Sequence, residues 1–106
     1  NHSAKIIGFG FSQGVATITR WANATKKRID HLVLWAGNPG NELLVENRIT
    51  NIPIQFILGD KDHFITEEAK IHLNEEFKKA GFNFISINFD GGHSVDKAVL
   101  QNLKFD

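Results

Sequence analysis

Cysteine is absent from this chain of 106 residues. That removes a disulfide scaffold, a thiolate metal site and a cysteine nucleophile from consideration, while leaving the compartment open. An excess of one charge is also missing, since 12 Lys and Arg balance 12 Asp and Glu. No block of like charge exceeds Lys26-Lys27-Arg28, so neither nucleic acid nor an anionic membrane is indicated as a partner. That triplet suits the end of a helix, where the dipole favours cations. No apolar run approaches the roughly twenty residues a membrane span needs. Internal repeats and low-complexity tracts are lacking too. What remains, 42% hydrophobic and 23% charged, is the composition of an ordinary globular domain. The length allows at most one domain, residues 1–106, with a modest core. The chain opens at Asn1 and enters a buried-type strand almost at once, so a targeting segment is expected only upstream. The expected location is the cytoplasm.

Four segments read as strands of parallel-sheet character: Lys5–Phe9, His31–Ala36, Ile54–Leu58 and Phe84–Phe89. The last alternates, as an edge strand does. Helical spacing covers Gln13–Asn23 through Val15, Ile18 and Ala22. It returns over Glu67–Ala80, where Thr66 can cap, Glu67 and Glu68 fill the first turn, and Leu73, Phe77 and Ala80 share a face. Lys78 and Lys79 lie near the end of that helix and Gly81 terminates it. Val95, Val99 and Leu103 mark a final helix starting near Ser94 or Asp96. Between them, Asn38-Pro39-Gly40 reads as a turn and Glu42–Arg48 as a short helix. Alternating strands and helices predict right-handed crossovers, hence an α/β fold with a parallel sheet of about four strands flanked by helices.

The run Gly10-Phe11-Ser12-Gln13-Gly14 sits between the first strand and the first helix. A turn this sharp strains the backbone of the serine and crowds positions 10 and 14, both Gly here. It lifts the Ser12 hydroxyl clear of the sheet and aims the first amides of the next helix into the same space. A Gly-rich turn with an incidental serine is the plain alternative.

In open α/β sheets the ligand site lies off the carboxyl ends of the strands. Ser12 follows the first strand, Gly59-Asp60-Lys61-Asp62-His63 the third, and Asp90-Gly91-Gly92-His93-Ser94 the fourth. A serine, a carboxylate and a histidine therefore meet one sheet edge in the order Ser, Asp, His. Asp60 and Asp62 both qualify as the acid. Asp62 is favoured because it sits deeper in the loop, whereas Asp60 suits the turn itself. His63 adjoins its own carboxylate in sequence and points away from it, so it is peripheral. His2, His31 and His72 read as surface or boundary residues. No spacing among the His and Asp residues suits zinc or iron, and no metal is expected.

At these residues the chain resembles the α/β-hydrolase superfamily, and within it the phospholipase/carboxylesterase branch with its acyl-protein thioesterase-like enzymes. The likeness is carried by Gly8-Phe9-Gly10-Phe11-Ser12-Gln13-Gly14-Val15-Ala16-Thr17, by Leu58-Gly59-Asp60-Lys61-Asp62-His63-Phe64-Ile65, and by Phe89-Asp90-Gly91-Gly92-His93. The Gly-x-x-Asp-x-x-Ile pattern supports Asp62 as the acid. The resemblance implies a serine hydrolase of carboxylic esters or thioesters in which Ser12 is the nucleophile, His93 the base and Asp62 its orienting acid. It implies an oxyanion contact from the Gln13 amide and needs no cofactor. Phe11, Phe64 and the Asn38–Arg48 segment are expected to border the substrate.

The likeness covers only the C-terminal half of that larger fold. The other half carries a loop that gives the second oxyanion donor. Association with an N-terminal companion, or self-association, is expected, with feeble turnover from this piece alone. Dienelactone hydrolase-like and peptidase-like members are alternatives within the enzyme class. A different class is also open: a flavodoxin-like domain using residues 8–14 to hold phosphate or a protein, with no partnership between Ser12 and His93.

Overall fold

A computed structural model of the chain describes residues 5–38 and 51–105. The sheet has four strands in the order β1-β2-β3-β4, namely β1 (Ile7–Phe11), β2 (His31–Trp35), β3 (Ile54–Gly59) and β4 (Phe84–Phe89). All neighbours are parallel, in the register Phe11↔Trp35, Leu34↔Phe56 and Ile57↔Ile87. The central strands β2 and β3 are buried at every position. With both faces covered, their sequences are continuous apolar runs rather than alternating ones. The one polar side chain inside β3, Gln55, is satisfied by donating to the Lys104 carbonyl at 2.8 Å. On the outer strand β1 burial alternates with exposure, whereas β4 departs from the expected alternation: Ile85 and Ser86 are both exposed and only Phe89 is buried, as befits an edge strand covered on little of either face.

Helices α1 (Gln13–Ala24) and α2 (Glu67–Ala80) cover one face. Val15 and Ala22 of α1 join Leu73 and Phe77 of α2 in a core with Leu34, Phe56 and Leu58. Phe77 stacks on Phe56 with ring centroids 4.7 Å apart. The other face is closed by the short helix α3 (Lys97–Gln101) and the chain after it. There Val99, Leu103 and Phe105 pack over Val33, Trp35, Ile57 and Phe89. Among the described residues no helix is long and apolar enough to cross a membrane.

Helix α2 forms where its local signals place it. The Thr66 hydroxyl accepts from the Ala69 amide at 3.1 Å, and Gly81 takes the left-handed conformation at φ 80° that ends the helix. Its buried face is Lys70, Leu73 and Phe77, with Ala80 only half-buried. The final helix begins at Lys97, capped by the Asp96 carboxylate, which accepts from Val99 N at 3.0 Å.

Elsewhere the structure corrects the sequence expectations. Strand β1 runs through Gly10 and Phe11, two residues beyond the expected Phe9, because pairing with β2 continues to Trp35. The Lys26–Arg28 triplet lies past the end of α1, where Thr25 is the C-cap, so those cations do not sit in its last turn. His31 is buried and stacks edge-on against Phe105 at 5.2 Å, so it is not a surface residue. The expected helix Glu42–Arg48, all of the 38–40 turn after Asn38, and His2 lie outside the described residues.

Candidate active site

The turn from β1 into α1 is built on close contact. A Cβ on Gly10 would stand 2.5 Å from the Gly14 carbonyl oxygen and 2.6 Å from Ile18 Cγ2, so only glycine fits. Gly14 itself has open space where a Cβ would go, so the expected crowding holds for position 10 and not for position 14. Ser12 sits at φ 57° and ψ −121°, a conformation that costs a non-glycine residue strain. Its amide donates to the Trp35 carbonyl at 2.8 Å, tying the turn to the end of β2. Ser12 is the N-cap residue of α1, yet its side chain makes no capping bond. The hydroxyl instead meets His93 Nε2 at 2.9 Å. The Gln13 amide, first in α1, has no acceptor within the helix by position and lies at its positive end.

His93 comes from the loop after β4. Its Nδ1 is 2.8 Å from Asp62 Oδ2. An ionised carboxylate can only accept, so Nδ1 carries the proton and Nε2 is left to accept from Ser12 Oγ. The Asp62 side chain is fully buried, while that of His93 is 20% exposed. The second carboxylate oxygen, Oδ1, accepts from the Phe64 amide at 2.8 Å. Both oxygens of Asp62 are therefore held, and the charge is removed from water only where donors replace it. Asp60 is exposed in the turn, and His63 is exposed. His72 faces Glu76 on α2 at 3.7 Å, away from the site.

Phe11 and Phe64, expected beside the substrate, both lie against His93. Their ring centroids are 5.0 and 4.6 Å from the imidazole, tilted by 44° and 48°. Phe64 is 79% exposed and also lines the cavity over Ser12. That cavity, about 630 Å³ and open to solvent, is bordered among the described residues by Ser12, Gln13, Gly37, Asn38, Ile65 and His93, together with the apolar Ala16, Ala69 and Leu73. None of its described lining residues carries a formal charge apart from what His93 can take up.

Two supports escaped the sequence reading. Trp35 is fully buried in β2, and its indole Nε1 donates to the Ser94 carbonyl at 3.0 Å, anchoring the residue after His93. Lys70 reaches from α2 to the Gly59 carbonyl at 3.0 Å. The acid and histidine loops are also joined directly, by Asp60 N to Phe89 O and Lys61 N to Gly91 O, both 2.8 Å. Among the described residues no group of three His, Asp or Glu side chains is placed to hold a metal. The flavodoxin-like alternative asked for no contact between Ser12 and His93, and here the two share a hydrogen bond.

Comparison with known proteins places this geometry in context. The model of the dienelactone hydrolase family matches residues 1–96. Among solved structures, a single-residue variant of SOBER1 from Arabidopsis thaliana superposes with a TM-score of 0.73 at 23% identity, covering 90% of this chain and 48% of that one. Acyl-protein thioesterase 2 of Zea mays gives 0.69 at 17% identity, covering 95% of this chain and 54% of that one. The Bacillus cereus carboxylesterase gives 0.70 at 15%, covering 91% and 45%. The chain thus spans about half the length of the structures it matches. These identities speak for the fold. A search of curated proteins finds no match.

Proposed function

The chain belongs to the dienelactone hydrolase family, and from that premise we propose that it is a serine hydrolase of carboxylic esters or thioesters. One observation carries the reading: the hydrogen-bonded line from Ser12 Oγ through the His93 ring to Asp62. In this mechanism Ser12 Oγ attacks the substrate carbonyl carbon while His93 Nε2 takes the hydroxyl proton. Asp62 holds the imidazole and stabilises the cation it becomes. The Gln13 amide stabilises the developing oxyanion, aided by the positive end of α1. Collapse expels the alcohol or thiol, which takes the proton from His93. Water then attacks the acyl-enzyme with His93 as base, releasing the acid and restoring Ser12.

The uncharged, largely apolar lining of the cavity supports a neutral acyl group as the bound part of the substrate. Phe64 borders that group directly, and Phe11 contributes through the position of His93. No step calls for a cofactor. The same reading gives the exposed edge of the sheet a partner strand. On β1, Ile7 and Phe9 are 40% and 42% exposed, beside Ile6 at 42%. A strand from further chain of the same protein, or from a second copy, would cover that edge.

The test is a fluorophosphonate probe with peptide mapping, run beside a chromogenic short-acyl ester assay. The expected result is a single adduct on Ser12 that is lost, with the esterase activity, in Ser12→Ala. An adduct that persists in Ser12→Ala, or a folded wild-type protein that takes no label, overturns the reading.

A further inference from the structure

Among the described residues the one buried ammonium belongs to Lys70, and the proposed reaction does not use it. Its side chain is only 7% exposed, on the face of α2 that also buries Leu73 and Phe77. Taking a lysine charge out of water is costly unless donors and acceptors are matched around it, and an apolar side chain of that length would suit such a face. What Lys70 has in place of water is specific. Its Nζ donates to the Gly59 carbonyl at 3.0 Å and lies 3.1 Å from Glu67 Oε1. The carboxylate is at the surface, 76% exposed, so the buried end of the interaction is the Gly59 carbonyl.

Gly59 is the last residue of β3, and three observations converge on it. Its carbonyl also accepts from the Asp62 amide at 3.2 Å, closing the turn that carries the acid. A Cβ on it would stand 2.3 Å from the Gly91 carbonyl and 2.6 Å from that of Gly92, so the turn presses directly on the loop that carries His93. Downstream, Asp62 reaches His93 Nδ1 at 2.8 Å. Two donors, one of them charged, therefore converge on a single carbonyl oxygen three residues before the acid. A displacement at Gly59 would pass to both members of the Asp–His pair.

We propose that Lys70 is a positioning residue: its ammonium fixes the Gly59 carbonyl, and through that turn keeps Asp62 in bonding register with His93. The inference rests on the hydrolase reading of the site, and its contribution lies in the chemical step rather than in substrate binding.

The experiment uses the full chain with Lys70→Met and Lys70→Gln, each checked for fold by near-ultraviolet circular dichroism. Fluorophosphonate inactivation is resolved into its maximal rate and its half-saturation constant. The low-field proton resonance of the His93 Nδ1–H···Asp62 bond is recorded alongside. The expected result is a maximal rate lower by about ten- to a hundredfold, with half-saturation within about twofold. The low-field resonance should broaden or move in the same variants. A folded variant that keeps both the wild-type rate and the wild-type resonance overturns the proposal. So does failure of both variants to fold, which would make Lys70 scaffold alone. The hydrolase reading fails separately, if wild-type Ser12 takes no label at all.

Discussion

Asp60 and Asp62 share one loop, yet the fold gives them opposite surroundings: the first is in solvent, and the second is sealed under His93 with both oxygens engaged. Asp62→Asn is therefore expected to lower ester turnover by about 10⁴, because the amide can present its NH₂ to Nδ1 and stabilise the wrong tautomer. Asp60→Asn should leave turnover within about twofold, as an exposed turn residue with no partner in the relay. Initial rates of both, compared at matched thermal stability, check the assignment; equal losses would reverse it. The meeting of Ser12, Asp62 and His93 was legible because each lies within about four residues of the carboxyl end of a strand, where the sheet topology collects side chains. Trp35 and Lys70 were not legible, and the reason is physical. Each bonds to a backbone carbonyl, of Ser94 and Gly59 respectively, and a carbonyl leaves no mark on the sequence. A tryptophan in an apolar strand reads as core, and a lysine early in a helix reads as solvated. Phe11 and Phe64 were expected beside the substrate; of the two only Phe64 lines the cavity, and the packing of both on the imidazole comes from loop geometry that no spacing encodes.

Among the elements, α2 was read to the residue because its caps and end charges are local, whereas the bounds of β1 depend on β2, about two dozen residues away along the chain. The glycines of the first turn separate local from tertiary cause in the same way. Gly10→Ala is expected to cost about 3 kcal/mol or more, since its Cβ would meet the backbone of α1. Gly14→Ala places a methyl in open space on a helix and should leave stability unchanged or raise it by up to about 1 kcal/mol. Thermal unfolding of the two variants measures the contrast. At the start of β1, Asp30 accepts from the Ile6 amide at 2.8 Å and pairs with Arg28 at 3.2 Å. The Ile6 hydrogen bond is the largest influence and holds the Asp30 carboxyl below its usual value; desolvation opposes it, and the Arg28 guanidinium adds a lesser pull in the same direction as Ile6. A depressed folded-state pKa stabilises above the ordinary carboxylate range, and that stabilisation is lost as pH falls through the folded value. The melting-temperature gap between wild type and Asp30→Asn should therefore be constant near neutrality and close below about pH 4. A gap that widens in acid would contradict this.

For the molecule as a whole, the sheet has one strongly apolar open side. With Ile7 and Phe9 about two-fifths exposed on β1, this chain expressed by itself should elute from a sizing column as a dimer or larger. Phe9→Lys, which sets a charge on that edge, should shift it toward monomer. A wild-type monomer at high concentration would show the edge to be tolerated. A last consequence concerns time. Ser12 and His93 are 81 residues apart along the chain, and β2 and β3 must both be seated between them before Oγ and Nε2 can meet. Helices α1 and α2 need only near neighbours, whereas the relay needs nearly every long-range pairing in place. On the hydrolase reading proposed above, Ser12 would gain its reactivity only once all four strands are paired, so labelling of that serine would report assembly of the sheet.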